Sequence, residues 1–238
     1  MASPPETQPI ETPPLETPPP SDASISDLLA TAFSRYGGGF VTYGLAAVVL
    51  CAIPGLAVMI ARSQHARFAV FAAVLSLSAS FAYMLLAGLI AADAGRRVRR
   101  RAIPILVTAP FAAVPVGAVV AGLGFASLLV LPLIAAPCAL AAIAAGVGDA
   151  MGFGALRKGC SLAFGSFRRS VALSATLAGL GVLLWLGLFV ALSPLAEGVR
   201  AGTAMVVWGA IFGPLSALVF RALYGALTGR LVVARKPG

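Results

Sequence analysis

Acidic side chains are scarce in this sequence: eight Asp and Glu stand against seventeen Lys and Arg in 238 residues, with a single histidine, His65. Paired carboxylates for general acid and base work are therefore missing, because Asp93 and Asp149 are the only acids near the inner ends of the apolar runs and each directly ends one. One histidine and three scattered cysteines cannot assemble a metal site. Cys51 and Cys138 fall within apolar runs and Cys160 in a basic connecting segment, a distribution with neither the spacing of a metal motif nor the setting of a disulfide. All three read as packing residues. The acids and the histidine lie in the tail or near the ends of apolar runs, so no proton relay at membrane depth is expected. The reading is of a chain that is not an enzyme and takes no cofactor.

What the chain has in abundance is apolar surface: 60% of its residues are hydrophobic and 11% charged, well below the roughly 25% charged content of soluble domains. A net charge of +9 could suggest nucleic acid, but these cations flank hydrophobic runs, where orientation in an anionic bilayer explains them. Nucleic acid is not expected as a partner.

Residues 1–23 hold the repeat PETQP, IETPP, LETPP, whose prolines lack amide donors and whose other side chains bury little. They read as a disordered Pro/Glu/Thr-rich cytoplasmic tail, with a docking peptide for a proline-reading domain as the functional alternative. The first 38 residues, acidic and proline-rich, lack the features of a signal peptide.

Residues 24–238 read as an all-α membrane domain: a polytopic helical bundle of about six transmembrane helices with two interfacial amphipathic helices. A helix rising 1.5 Å per residue needs about 20 residues to cross a ~30 Å hydrocarbon core. Spans are expected at 40–61, 68–92, 102–122, 127–147, 171–192 and 203–223. The middle pair carries Pro104, Pro110, Pro115, Pro132 and Pro137, so kinked or broken helices are expected there, as two full spans or as a re-entrant hairpin inside the bundle. Ser76 and Ser80, with Ala72, Ala73, Ala79 and Ala87, mark the second span as a close-packing helix.

The first amphipathic segment follows Ser24, a helix cap with Asp27 at the third position, and places Ile25, Leu28, Leu29, Ala32, Phe33 and Tyr36 on one face. Asp27, Thr31 and Arg35 make it too polar to span, so it should lie along the membrane surface and end at Gly37, Gly38 and Gly39. The second, residues 149–170, sets Leu156, Cys160, Ala163 and Phe167 against Arg157, Lys158 and Arg168. Ala32, Phe33 and Tyr36 match Ala163, Phe164 and Phe167 at an offset of 131 residues, a hint of internal duplication.

Basic residues orient the spans. With the N-terminus inside, fourteen lie in cytoplasmic segments, and only Arg62, Arg67 and Arg200 lie outside. This places the protein in the cell inner (plasma) membrane with both termini cytoplasmic. The run DAGRRVRRR puts five guanidinium groups, Arg96, Arg97, Arg99, Arg100 and Arg101, beside one span end. Together with Arg157, Lys158, Arg168 and Arg169 they are the candidate contacts for lipid or phosphate, since arginine forks bidentately onto phosphate. Fixing topology is the plainer role for the same residues. The expected partners are the bilayer, its anionic lipids in particular, and a membrane protein.

The entry DLLATAFSRYGGGF, with Phe33 and Tyr36, and the segment GFGALRKGCSLAFGSFRRSVAL, with Ala155, Leu156, Arg157, Phe167 and Arg168, resemble the membrane domain attached to some bacterial glycerophosphodiester phosphodiesterases and found as stand-alone six-span proteins of unknown function. The resemblance implies the fold, a membrane location and a lipid-related setting. It implies no phosphodiesterase activity, because that family's catalytic His and Glu belong to a separate soluble barrel and have no counterparts here. Two functions compete: a non-catalytic membrane scaffold or accessory protein, and a transporter or permease component for a hydrophobic, lipid-like or peptide substrate. The transporter would move its substrate through a cavity at the proline-rich pair, and broken helices near the midplane are its best support.

Overall fold

In the computed structural model, which describes residues 24–63, 68–93 and 98–229, the chain folds into α-helices and the described residues contain no strand. The helices are α1 (Ile25–Ser63), α2 (Phe68–Asp93), α3 (Val98–Leu123), α4 (Ser127–Val147), α5 (Gly152–Gly165), α6 (Phe167–Ala191) and α7 (Glu197–Leu227), with a 3₁₀ turn at Gly124–Ala126 between α3 and α4. Six of them, all but α5, are long and apolar enough to cross a membrane. The expected tail, residues 1–23, lies outside the described residues, as do His65, Arg67, Arg96, Arg97, Arg230, Arg235 and Lys236.

The proline-rich pair consists of two full-length helices, not a re-entrant hairpin. α3 runs through Pro104, Pro110 and Pro115, and α4 through Pro132 and Pro137, without a break. Each proline removes one backbone hydrogen bond, yet the turns on either side keep helical geometry, at the exposed Pro110 as well as at the buried Pro132 and Pro137. The two helices differ in depth of packing. In α4, 67% of the apolar window is buried, against 33% in α3. Every residue from 136 to 146 is buried, because Ala136, Ala139, Ala141, Ala142, Ala144, Ala145 and Gly146 offer small side chains around the whole circumference. Neighbouring backbones can therefore approach from several directions, and α2, α3, α5, α6 and α7 all pack on α4.

Glycines mark the closest approaches. A methyl group at Gly146 would collide with the Gly88 carbonyl of α2, and one at Gly88 would press on Ile105 of α3. On the other side of the bundle α1 packs along α7, where a methyl at Gly209 would strike the Cys51 sulfur and one at Gly202 would meet the Gly55 carbonyl at 3.0 Å. The Tyr36 hydroxyl donates to the carbonyls of Ile211 at 3.1 Å and Ala210 at 3.4 Å. Ala210 is the residue whose usual amide partner is replaced by Pro214, so Tyr36 supplies a donor that the α7 backbone lacks. Trp208 Nε1 donates to the Gly181 carbonyl at 2.8 Å and ties α7 to α6.

One expectation is overturned. The first amphipathic segment is not a separate surface helix ended by glycine: residues 25–63 form one helix that continues through Gly37, Gly38 and Gly39. None of the three has a positive φ. The cap is as expected: the Ser24 amide donates to Asp27 Oδ2 at 3.0 Å and the Asp27 amide donates to Ser24 Oγ at 3.2 Å, a reciprocal box. The apolar face is also as expected, with Leu28 and Ala32 buried and Ile25, Leu29 and Tyr36 packed against the core, except that Phe33 is exposed.

Candidate functional site

The chemistry of the described residues gathers where α2, α4 and α7 end and α3 and α6 begin, around α5. α4 stops in a Schellman-type turn: Gly148 takes the left-handed conformation at φ 86°, its amide donates to the Ala144 and Ala145 carbonyls, and the Asp149 amide donates to Ala144 at 2.9 Å. The guanidinium of Arg101 lies directly over Gly148, in the space a side chain would need. A second left-handed glycine, Gly152 at φ 57°, starts α5, and its amide donates to Thr108 Oγ1 of α3 at 2.8 Å. Thr108 is fully buried and in turn donates to the Pro104 carbonyl at 2.7 Å. One end of this turn is therefore tied to α3 by a hydrogen bond, and Arg101 of α3 covers the other.

α5 does not float on the surface. Its buried residues are Gly152, Ala155, Gly159 and Ala163, a stripe of small side chains. Ala155 packs with Ala141 and Ala145, and a methyl at Gly159 would collide with the Pro137 carbonyl and the Ala141 backbone. Pro137 is midway along α4, about 15 Å from its end at 1.5 Å per residue. α5 thus lies against the flank of a membrane-spanning helix. The predicted face of Leu156, Cys160, Ala163 and Phe167 is rotated by about one position from the buried one: Leu156 and Cys160 are half-buried and Phe167 is exposed at the start of α6. Small residues sit at the contact because only they allow backbone-to-backbone approach, whereas the pattern of large apolar residues marks the rim. Partial burial pushes the Cys160 thiol above its ordinary pKa.

Asp149 is the centre of the polar contacts. Tyr224 of α7 donates its hydroxyl to Asp149 Oδ2 at 2.5 Å, and Lys158 of α5 pairs with the same oxygen at 3.2 Å. The carboxylate joins the α4–α5 turn to α5 and α7, a structural role at a helix end. Tyr224, 2% exposed, was legible in sequence only as a packing or anchoring aromatic, and Thr108 gave no signal beyond being a hydroxyl in an apolar run.

The candidate lipid-binding residues divide into groups. Arg96 and Arg97 lie outside the described residues. Arg99, Arg100 and Arg101 fall in the first turn of α3, and Arg168 and Arg169 in the first turn of α6. Cations there oppose the helix dipole at a cost of about 0.3–1 kcal/mol each, so they are not present to stabilise these helices. They add positive charge to helix ends that already attract anions. Arg100, Arg157 and Arg168 are exposed, while Arg101 and Arg169 are half-buried. Lys158, by contrast, is engaged with Asp149. Along the outer face of α5 the exposed residues are Phe153, Arg157, Ser161 and Phe164, and Phe164 stacks on Phe167 at a ring separation of 6.3 Å.

Elsewhere, an apolar groove of about 420 Å³ between α4 and α6 is lined by Pro132, Ala175, Ala178, Gly179, Val182 and Leu183 and presents no ionisable group to orient a ligand. Among the described residues no three His, Cys, Asp or Glu side chains lie together as a metal site would require. Comparison of the chain with protein-family models, curated proteins and solved structures found no match.

Proposed function

We propose that this protein is a non-catalytic integral membrane scaffold or accessory protein whose basic face, cytoplasmic by the distribution of Lys and Arg, contacts anionic lipid or a membrane-protein partner. The observation that carries the reading is the contrast between interior and end. The bundle centre is closed by Ala, Gly and Leu, whereas the exposed cations cluster around a docked helix, α5, at one end of the bundle. The resemblance to a phosphodiesterase-associated membrane domain supports a lipid-related setting by analogy alone. The transporter reading loses its main support, since α3 and α4 continue through their prolines.

The test is extraction of tagged protein into lipid nanodiscs without intervening detergent, followed by mass spectrometry of co-purifying lipids and proteins. A stoichiometric protein partner or an enriched anionic lipid supports the scaffold. A soluble small molecule retained stoichiometrically, with neither of these, would replace it with transport. Moving the charges of Arg99 and Arg100 to neighbouring positions, with Arg101 kept over Gly148, should leave the co-purifying lipid or protein unchanged if net charge is what matters; its loss would demand a specific ligand there.

A further inference from the structure

α5 holds cations in a position that a purely topological role does not require. Because Gly159 meets α4 at Pro137 and Ala141, and Ala155 meets Ala141 and Ala145, the side of α5 turned away from α4 lies on the flank of the bundle, beside the half of α4 that ends at Val147. That side carries Phe153, Arg157 and Phe164, followed by Phe167 and Arg168 where α6 begins. The rings are heavily exposed, Phe153 at 69% and Phe164 at 61%, which is costly in water and favourable at the boundary between headgroups and acyl chains. Arg157 and Arg168 make no ion pair among the described residues, while the neighbouring Lys158 satisfies Asp149. A guanidinium on the lateral surface of a membrane bundle needs an anion or water within reach of its side chain.

We propose that the outer face of α5 binds an anionic phospholipid, with Arg157 and Arg168 supplying the positive charge for its phosphate and Phe153, Phe164 and Phe167 the apolar contacts for its acyl chains. The proposal rests on the scaffold reading and names the ligand for one part of its basic face. Arginine suits the task because its planar fork pairs with two phosphate oxygens and is weakly hydrated. A zwitterionic lipid offers the same phosphate but brings its own cation, so the net positive charge of this face selects against it.

The experiment is native mass spectrometry of the full chain, delipidated in detergent and then supplied with phosphatidylglycerol and phosphatidylcholine of identical acyl chains in equimolar amounts. The wild-type chain should retain phosphatidylglycerol preferentially. In Arg157→Gln/Arg168→Gln that preference should fall by about five-fold per arginine removed. Arg157→Lys/Arg168→Lys should fall between the wild type and the Gln variant, because lysine keeps the charge without the fork, and this rescue separates charge from a packing defect. Both arginines are exposed and Arg168 opposes the α6 dipole, so the thermal midpoint of the Gln variant should be no lower than that of the wild type.

An unchanged preference in the Gln variant overturns the assignment to α5. If Arg100→Gln abolishes the preference instead, the lipid sits at α3 and the scaffold reading survives without this inference. A wild-type chain that favours neither lipid also overturns the inference, and the co-purification of a protein partner then decides the scaffold separately. Capture of a protein on the α5 face that displaces phosphatidylglycerol would assign the surface to that protein.

Discussion

The N-terminal part of α1 and the whole of α5 look alike in sequence, with Ala32 and Phe33 matching Ala163 and Phe164, yet they fold differently. In both places the alanine is buried and the phenylalanine exposed, so the side-chain pattern is read in the same way. The backbone is not. Three consecutive glycines leave α1 unbroken, whereas single glycines at Gly148 and Gly152 isolate α5 from α4. The lesson is that glycine ends a helix where it adopts a left-handed conformation that neighbours hold in place. Thr108 fixes the Gly152 end of the α4–α5 turn in this way and Arg101 covers the Gly148 end, whereas nothing lies within 4 Å of a methyl built at Gly37 or Gly38.

The largest predicted effect breaks the docking of α5. Gly159→Ala places a methyl against the Pro137 carbonyl and the Ala141 backbone, atoms that cannot swing aside. Overpacking of this kind costs about 1–3 kcal/mol, and the backbone contact puts this variant at the upper end. A thermal-unfolding scan in detergent should show a lowered midpoint, and limited proteolysis should cut first within 152–165. A variant that unfolds like the wild type would mean that α5 does not rest on α4.

Tyr224→Phe comes next. It deletes the hydroxyl that donates to Asp149 and leaves the Lys158 ammonium on that oxygen. Hydrogen bonds to charged acceptors contribute about 1.5–3 kcal/mol, and the variant should lose an amount in that range because Tyr224 is buried. Asp149→Asn added to Tyr224→Phe should then cost less than Asp149→Asn alone, since the two groups act as a pair. Independent, additive effects would separate them.

How far this was readable from sequence depended on which physical signal each feature leaves. Six long apolar runs and the Ser24–Asp27 box are visible because hydrophobic length and cap chemistry are local. The continuity of α3 and α4 through five prolines is not, because the local signal of a proline is a lost hydrogen bond, and whether the helix continues past it is not written in the neighbouring residues. The same limitation hid the docking of α5. Its large apolar residues suggested a face, but the contact is made by Gly152, Ala155, Gly159 and Ala163, whose small size signals nothing until α4 is beside them. Asp149 was visible as a helix-ending acid, while its partner Tyr224 lies 75 residues away and shares no local pattern with it.

Gly148→Ala should fall below Tyr224→Phe. A left-handed conformation costs a non-glycine residue about 1–2 kcal/mol, and the added methyl must also displace the Arg101 guanidinium. That guanidinium is the far end of a flexible chain and can move, so the cost should stay near the backbone value. Gly148→Asn should recover part of it, because asparagine tolerates this conformation better than alanine does. Equal midpoints for the Ala and Asn variants would show that the clash with Arg101, and not the backbone, dominates.

The smallest effect has the opposite sign and is the most direct test of the contrast between the two segments. Gly37 and Gly38 lie in a continuous helix with negative φ and open space around the position of a Cβ. Alanine at either site should therefore stabilise, by about 0.5–1 kcal/mol, through a smaller loss of backbone entropy on folding. The Gly37→Ala/Gly38→Ala variant should melt higher than the wild type, and the capping and packing of residues 25–36 should be unchanged. If the double variant instead melts lower, these glycines bend or end the helix as the sequence pattern suggests. The entry segment would then be a separate surface helix, and the likeness between residues 32–36 and 163–167 would extend from the side chains to the backbone.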